Sequence, residues 1–322
     1  MMWSVASKVC DRDTNARLCF LINYVLHNML QKIGPPVVTV IFKLLGALPL
    51  TLLQTLGRFF GWIAWCVPGS YKESAARNLR QAYPDYSPLM LRAAMINVGQ
   101  LMFEMTYWWT RRDEPALDAL LQCDNWQQFD EALALEKGVI LLSPHLGCFE
   151  LLGPIFGARY PATVLFRPPR MAWLTAWIIE MRSRRQLTMA PANQSGVRTL
   201  VKTLLRGRII GILPDQVPPD GEGVWAPFFG KPAYTMTLVQ RLQKLSGATI
   251  FVLAAERNAV GKGYLLHYKR LEAPLPDDAQ SAATIINQEM EGMINKMPEQ
   301  YLWGYNRYRT PKTKATKQLP GN

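Results

Sequence analysis

The 322-residue chain is predicted to be an α/β protein, with a mostly parallel central sheet flanked by helices and an N-terminal helical membrane anchor. Three observations predict this. Short, continuous apolar runs recur from Gly138 onward, as expected of strands buried on both faces. Helical stretches alternate with them, the order that builds parallel sheets. Residues 37–67 hold only two charges, Lys43 and Arg58, and no acid.

That weakly charged segment comes first. Between its two charges lie 14 residues, Leu44 to Gly57, too few to cross a bilayer alone. With Lys43 or Arg58 snorkelling to the surface it can span; otherwise it lies in the interface as an apolar hairpin. Pro49, Trp62, Trp65 and Pro68 suit a broken element with aromatic residues at the headgroup level. A buried core helix is the competing reading. A cleavable signal peptide fits poorly, because the apolar run starts late and follows a mixed-charge leader. The chain accordingly divides into a leader and hydrophobic anchor at 1–70, a main domain at 71–309 and a basic tail at 310–322. From Arg307 to Asn322 there are five basic residues, no acid and two prolines, a composition expected to be disordered near its end.

The main domain opens with helices. YKESAARNLRQAY, residues 71–83, reads as one, stopped by Pro84, and residues 88–109 as another with apolar positions at helical spacing. Strands are expected at 138–144 (GVILLSP), 163–166, 209–213 and 249–254, and an alternating edge strand at 264–269. Helices are expected at 149–158, 173–184, 197–206, 235–246 and 282–296.

Composition narrows the partners. The net charge of +12 favours anionic ones: nucleic acid, phosphorylated substrates, an acidic carrier protein or an anionic membrane face. Nucleic acid ranks last, since no helix-turn-helix, RNP or zinc pattern accompanies the basic residues. Five dispersed cysteines without a CxxC pair argue against a disulfide framework and for a reducing compartment. With three histidines in the whole chain, no metal site is expected.

The motif that carries chemistry is HLGCFE, His145 to Glu150, directly after the apolar run GVILLSP. On one ideal helix, residues five apart diverge by roughly 140° and cannot share a face. If His145 sits on the loop before the helix and Gly147 lets the chain turn, Glu150 can reach back to the imidazole. A carboxylate on one ring nitrogen fixes the tautomer and makes the other a better general base for an alcohol. Taken alone, the spacing fits equally well a histidine capping a helix, with Glu150 a solvated first-turn residue. Its neighbours add weight. Arg167 ends the next strand as LFRP, at the edge where α/β proteins place their sites. From Arg167 to Arg208 there are nine Lys/Arg and one acid, Glu180, with Arg182, Arg184 and Arg185 together at a helix end. Such a stretch suits phosphate or carboxylate recognition by guanidinium groups, although helix-dipole complementarity accounts for one or two of them. Asp215 and Gln216 follow the strand ILP, with Asp215 suited to hold an arginine or a sugar hydroxyl, or to be an ordinary loop acid. Cys148 is expected to be buried packing and not a nucleophile.

The ordered series HLGCFE, LFRP, the arginine helix, GILPDQ, VWAPFFGKPAYT and PEQYLW resembles the bacterial lipid A biosynthesis acyltransferases, a branch of the lysophospholipid acyltransferase superfamily. The match covers roughly residues 71–309, and the joint order is specific although each piece is weak. LPDQ, where the wider superfamily often has FPEG, favours the lipid A branch over glycerolipid enzymes. The resemblance implies an enzyme anchored at the cytoplasmic face of the inner membrane, an acyl-acyl carrier protein donor, and a lipid A precursor hydroxyl as acceptor. It further implies His145 as base, Glu150 as its orienting partner, and Arg167, Arg182, Asp215 and Gln216 around donor or headgroup, with no cofactor. Another lipid acceptor, and a non-catalytic basic peripheral membrane protein, remain open alternatives.

Overall fold

The computed structural model describes residues 36–112, 119–169, 171–184 and 186–311; the leader, Arg185 and most of the basic tail lie outside it. The chain starts in two helices, α1 (Pro36–Gly46) and α2 (Leu50–Cys66), meeting at 112°. No single helix among the described residues is long and apolar enough to cross a membrane, and α1 and α2 pass that test only as a bent pair. Their outer faces are apolar and exposed, with Val40, Ile41, Leu44, Phe59 and Trp62 in the open. The inner face of α2 packs on α4 (Pro88–Thr110). Gly57 and Gly61 permit this, because a Cβ on Gly57 would sit 2.7 Å from the Gly99 carbonyl oxygen of α4. Helix α3 (Ser70–Ala82) lies between them in sequence, and Ser87 caps α4 through the Met90 amide at 3.3 Å.

The sheet follows. Strand β1 (Leu121–Gln122), helix α5 (Gln127–Ala134), β2 (Val139–Leu142), α6 (Phe149–Arg159), β3 (Ala162–Phe166), α7 (Ala172–Arg182), β4 (Leu187–Pro191), α8 (Gln194–Leu204) and β5 (Ile209–Ile212) alternate along the chain. A hairpin, β6 (Gly223–Phe228) and β7 (Lys231–Met236), stands apart. Then come α9 (Leu238–Ser246), β8 (Thr249–Arg257), β9 (Tyr264–Arg270) and α10 (Ala279–Ile294), with a 3-10 turn at Pro298–Gln300. The seven-stranded order is β1-β9-β8-β2-β5-β3-β4, parallel throughout except between β8 and β9. The mostly parallel sheet expected from the apolar runs is therefore present.

Central burial explains those runs. In β2 all four residues are buried; Ile140 and Leu142 join the core under α8, α9 and α10, while Val139 and Leu141 join the core under α5, α6 and the end of α4. Two faces covered by helices leave no polar alternation to preserve. The helix expected at 235–246 begins only at Leu238, because residues 231–236 pair with 223–228 across the turn Phe229–Gly230. Both turn residues have positive φ, 45° and 73°, the geometry a two-residue hairpin needs. Strand β9, expected at an edge, is flanked there by the two-residue β1.

Candidate active site

Strands β2 and β5 are parallel neighbours, so their carboxyl ends meet at one edge. His145 leaves the first and Asp215 the second. The His145 amide donates to Asp215 Oδ2 at 2.8 Å, and the ring Nδ1 lies 2.7 Å from Asp215 Oδ1. Asp215 is 2 % exposed and His145 18 %. Burial pushes the Asp215 carboxyl up, but the imidazole beside it and its hydrogen bonds win, holding it below the ordinary value. An ionised carboxylate is acceptor only, so it fixes the proton on Nδ1 and leaves Nε2 bare. The Gln216 amide nitrogen sits 3.1 Å from Nε2, a donor for that lone pair. Phe149 packs edge-on against the ring, with centroids 4.8 Å apart.

Glu150 does not grip the imidazole. One carboxylate oxygen accepts from Trp109 Nε1 at 2.9 Å and the other from Arg182. The reason is local. Gly147 turns the chain at φ 60°, and α6 starts at Phe149, so Glu150 lies in its first turn against the end of α4 and α7 while the ring faces β5. The carboxylate at the imidazole belongs instead to Asp215, just beyond the end of β5. The expected role of Asp215, holding an arginine or a sugar, is corrected in the same way: it holds His145. Cys148 is fully buried, and burial followed by the Glu104 charge pushes its thiol well up, which suits packing and not nucleophilic attack.

His145, Glu150, Arg167, Arg182 and Gln216 line one cavity of about 860 Å³. Asp215 stands behind the imidazole. Buried apolar residues, Leu141, Leu152, Phe156, Leu187 and Leu253 among them, line part of the cavity. Arg167, Arg198 and Arg241, all exposed, line another part. Arg182 stacks its guanidinium 4.6 Å from the Trp109 ring, and its buried Nε has no partner among the described residues. Arg184 also lines the cavity and donates to the carbonyls of Trp108 and Arg111. Trp109 and Arg241 escaped sequence reasoning. Trp109 reads as an ordinary apolar helix end, and Arg241 sits far along the chain from the basic stretch.

A model of the bacterial lipid A biosynthesis acyltransferase family matches residues 26–310. The chain is 26 % identical over 274 residues to the lipid A biosynthesis lauroyltransferase of Escherichia coli, covering 82 % of this chain and 87 % of that one. It is 26 % identical to the palmitoleoyltransferase of the same organism over 270 residues, with the same coverage. Against the lipid A biosynthesis acyltransferase of Haemophilus influenzae the identity is 26 % over 318 residues, 94 % of this chain and 97 % of that one.

Proposed function

The chain belongs to the bacterial lipid A biosynthesis acyltransferase family, and from that premise we propose that it transfers a fatty acyl group from an acyl-acyl carrier protein to a hydroxyl of a lipid A precursor. The observation that carries this reading is the His145–Asp215 pair beside a cavity lined by both apolar and arginine side chains.

With Nδ1 held by Asp215, His145 Nε2 takes the proton of the acceptor hydroxyl, which displaces the Gln216 amide from that position. The alkoxide oxygen attacks the thioester carbonyl and forms a tetrahedral intermediate. Collapse breaks the C–S bond, and the imidazolium returns its proton to the leaving thiolate, giving an ester and a carrier-bound thiol. No acyl-enzyme intervenes. The oxyanion falls to Arg182, whose guanidinium group lines the cavity and is held there by Glu150 and the Trp109 ring. Glu150 therefore serves the reaction through Arg182. The apolar lining takes the acyl chain, while Arg167, Arg198 and Arg241 meet the phosphates of the disaccharide and the acidic carrier. The apolar outer faces of α1 and α2 hold the enzyme on the cytoplasmic face of the inner membrane, where its acceptor resides.

The test is direct. Purified protein is given acyl-acyl carrier protein with a lipid A precursor, a lysophospholipid, an aminolipid and a phosphatidylinositol mannoside in parallel, and products are read by mass spectrometry. Ester formation on the lipid A precursor supports the proposal. Transfer to another acceptor alone moves the enzyme to that lipid, and no transfer to any sinks the enzymatic reading.

A further inference from the structure

The PEQYLW segment has no part in the chemistry above, yet it lies directly against the histidine loop. Strand β2 stops at Leu142, pairing with β8 only as far as Val252. Beyond that point the edge of β8 that β2 had covered must find other partners, since buried backbone groups cannot go unpaired. The histidine loop fills the first gap: the Cys148 amide donates to the Ala255 carbonyl at 2.8 Å. The side chain of Gln300 fills the next. Its Oε1 accepts from the Arg257 amide at 2.9 Å, and its Nε2 donates to the Arg257 carbonyl at 3.0 Å. One side-chain amide thus reproduces both hydrogen bonds of a strand residue.

The same segment then grips the loop through its backbone. The Gly147 amide donates to the Gln300 carbonyl at 3.0 Å, and the Leu302 amide donates to the His145 carbonyl at 3.0 Å. Leu146 and Tyr301 form an antiparallel bridge between them. Tyr301 also neighbours the dyad: burial, and after it the Asp215 charge, push its phenol well up. Arg257, to which Gln300 is fastened, is itself immobilised, its guanidinium donating to Glu104 and to Asn97 Oδ1 of α4.

We propose that Gln300 is a positioning residue for catalysis: by standing in for a missing strand on β8, it fixes the backbone of His145 at the place where the ring meets Asp215. The proposal rests on His145 as the base. Asp215 holds the histidine from the β5 side and the Leu302 amide holds its carbonyl from the other, so the imidazole is set between the end of β5 and this segment. Displacement of a reacting group by about 1 Å costs on the order of 10²-fold in rate, without touching substrate affinity.

Two variants test this. Gln300→Met keeps the length and removes both hydrogen bonds; Gln300→Asn keeps the amide and withdraws it by one methylene. Glu299→Gln, in the same segment but outside this contact, is the control. Steady-state kinetics with acyl-acyl carrier protein and lipid A precursor are paired with NMR of the low-field His145 Nδ1 proton, assigned by its loss in His145→Ala. Expected for both Gln300 variants is kcat lower by roughly 10²-fold with KM little changed, and a broadened or absent Nδ1 resonance. The control behaves as wild type. Wild-type kcat and resonance in folded Gln300 variants would overturn the proposal, as would a rise in KM alone. A kcat falling only in step with the folded fraction while the resonance persists would also overturn it. If the wild-type protein turns over none of these substrates, the proposed function fails, and the resonance alone then decides the role of Gln300.

Discussion

Replacing Arg257 by methionine strips one deeply buried charge of its partner. Glu104 is wholly buried and the Arg257 side chain is 2 % exposed. Five hydrogen bonds converge on the Glu104 carboxylate: Arg257 Nε to each oxygen at 2.8 and 2.9 Å, Arg257 Nη2 to Oε2 at 2.6 Å, and Gln54 and Tyr264 to Oε1 at 2.9 and 2.8 Å. The substitution removes the three from arginine, including both nitrogen donors to Oε2. Methionine covers similar volume, so a cavity adds little. The cost is then that of a buried ion stranded by loss of its counter-charge, about 3–5 kcal/mol. Against a typical total stability of about 5–15 kcal/mol that is severe, and for a chain of this length it corresponds to a melting temperature lower by roughly 4–8 °C. Thermal and denaturant unfolding in detergent measure it. Combining Arg257→Met with Glu104→Gln neutralises the stranded carboxylate while keeping acceptors for Gln54 and Tyr264, and the double variant should recover much of the loss. A single variant within about 1 kcal/mol of wild type, the worth of a surface pair, would refute the reasoning. So would a double variant no more stable than the single one.

Other consequences follow from the same geometry. The Asp215 carboxyl lies below its ordinary value in the folded protein, so its contribution to stability is complete above the unfolded value of about 3.9 and lost as pH falls through the folded one; unfolding as a function of pH should show the wild-type advantage over Asp215→Asn shrinking below that point. Gly153 lines the cavity, and a Cβ there would meet only Leu187 Cδ2, at 3.3 Å; Gly153→Leu should therefore fold and shift selectivity toward shorter acyl donors, read by mass spectrometry of the products. Phe59 and Trp62, 54 % and 42 % exposed on α2, should bury apolar area in lipid worth roughly 1.5–3 kcal/mol per large side chain. Phe59→Ser with Trp62→Ser should weaken co-sedimentation with anionic vesicles by an order of magnitude or more, and unchanged binding would remove α2 from the membrane contact.

How much of this is legible in the residue order depends on whether the determining contact is local. Strand β2 and its histidine exit are plain, because burial on both faces leaves an unbroken apolar run. The helix read at 88–109, observed at Pro88–Thr110, is equally plain from its apolar positions at helical spacing. The hairpin β6–β7 is not. Pro227 and Pro232 face each other across it, and prolines read as loop unless an isolated two-stranded edge is known to be there. Strand β4 is hidden because its five residues, LTMAP, lie in a short stretch between basic residues and a helix cap. The site divides in the same manner. His145 announces itself by its position after β2. Its true partner does not, since Asp215 is 70 residues away and reaches it only because β5 lies beside β2 in the sheet. The spacing of His145 and Glu150 suggested a local pair, and the turn at Gly147 sends the two side chains to different neighbours.

The most direct measurement is single-turnover acyl transfer by Asp215→Asn beside His145→Ala. With the geometry kept and the tautomer lost, Asp215→Asn should slow transfer by on the order of 10²–10⁴-fold, approaching His145→Ala, with both substrates still bound. Near-normal transfer by Asp215→Asn would show that the carboxylate behind the imidazole is only structural and that the base is held by something else.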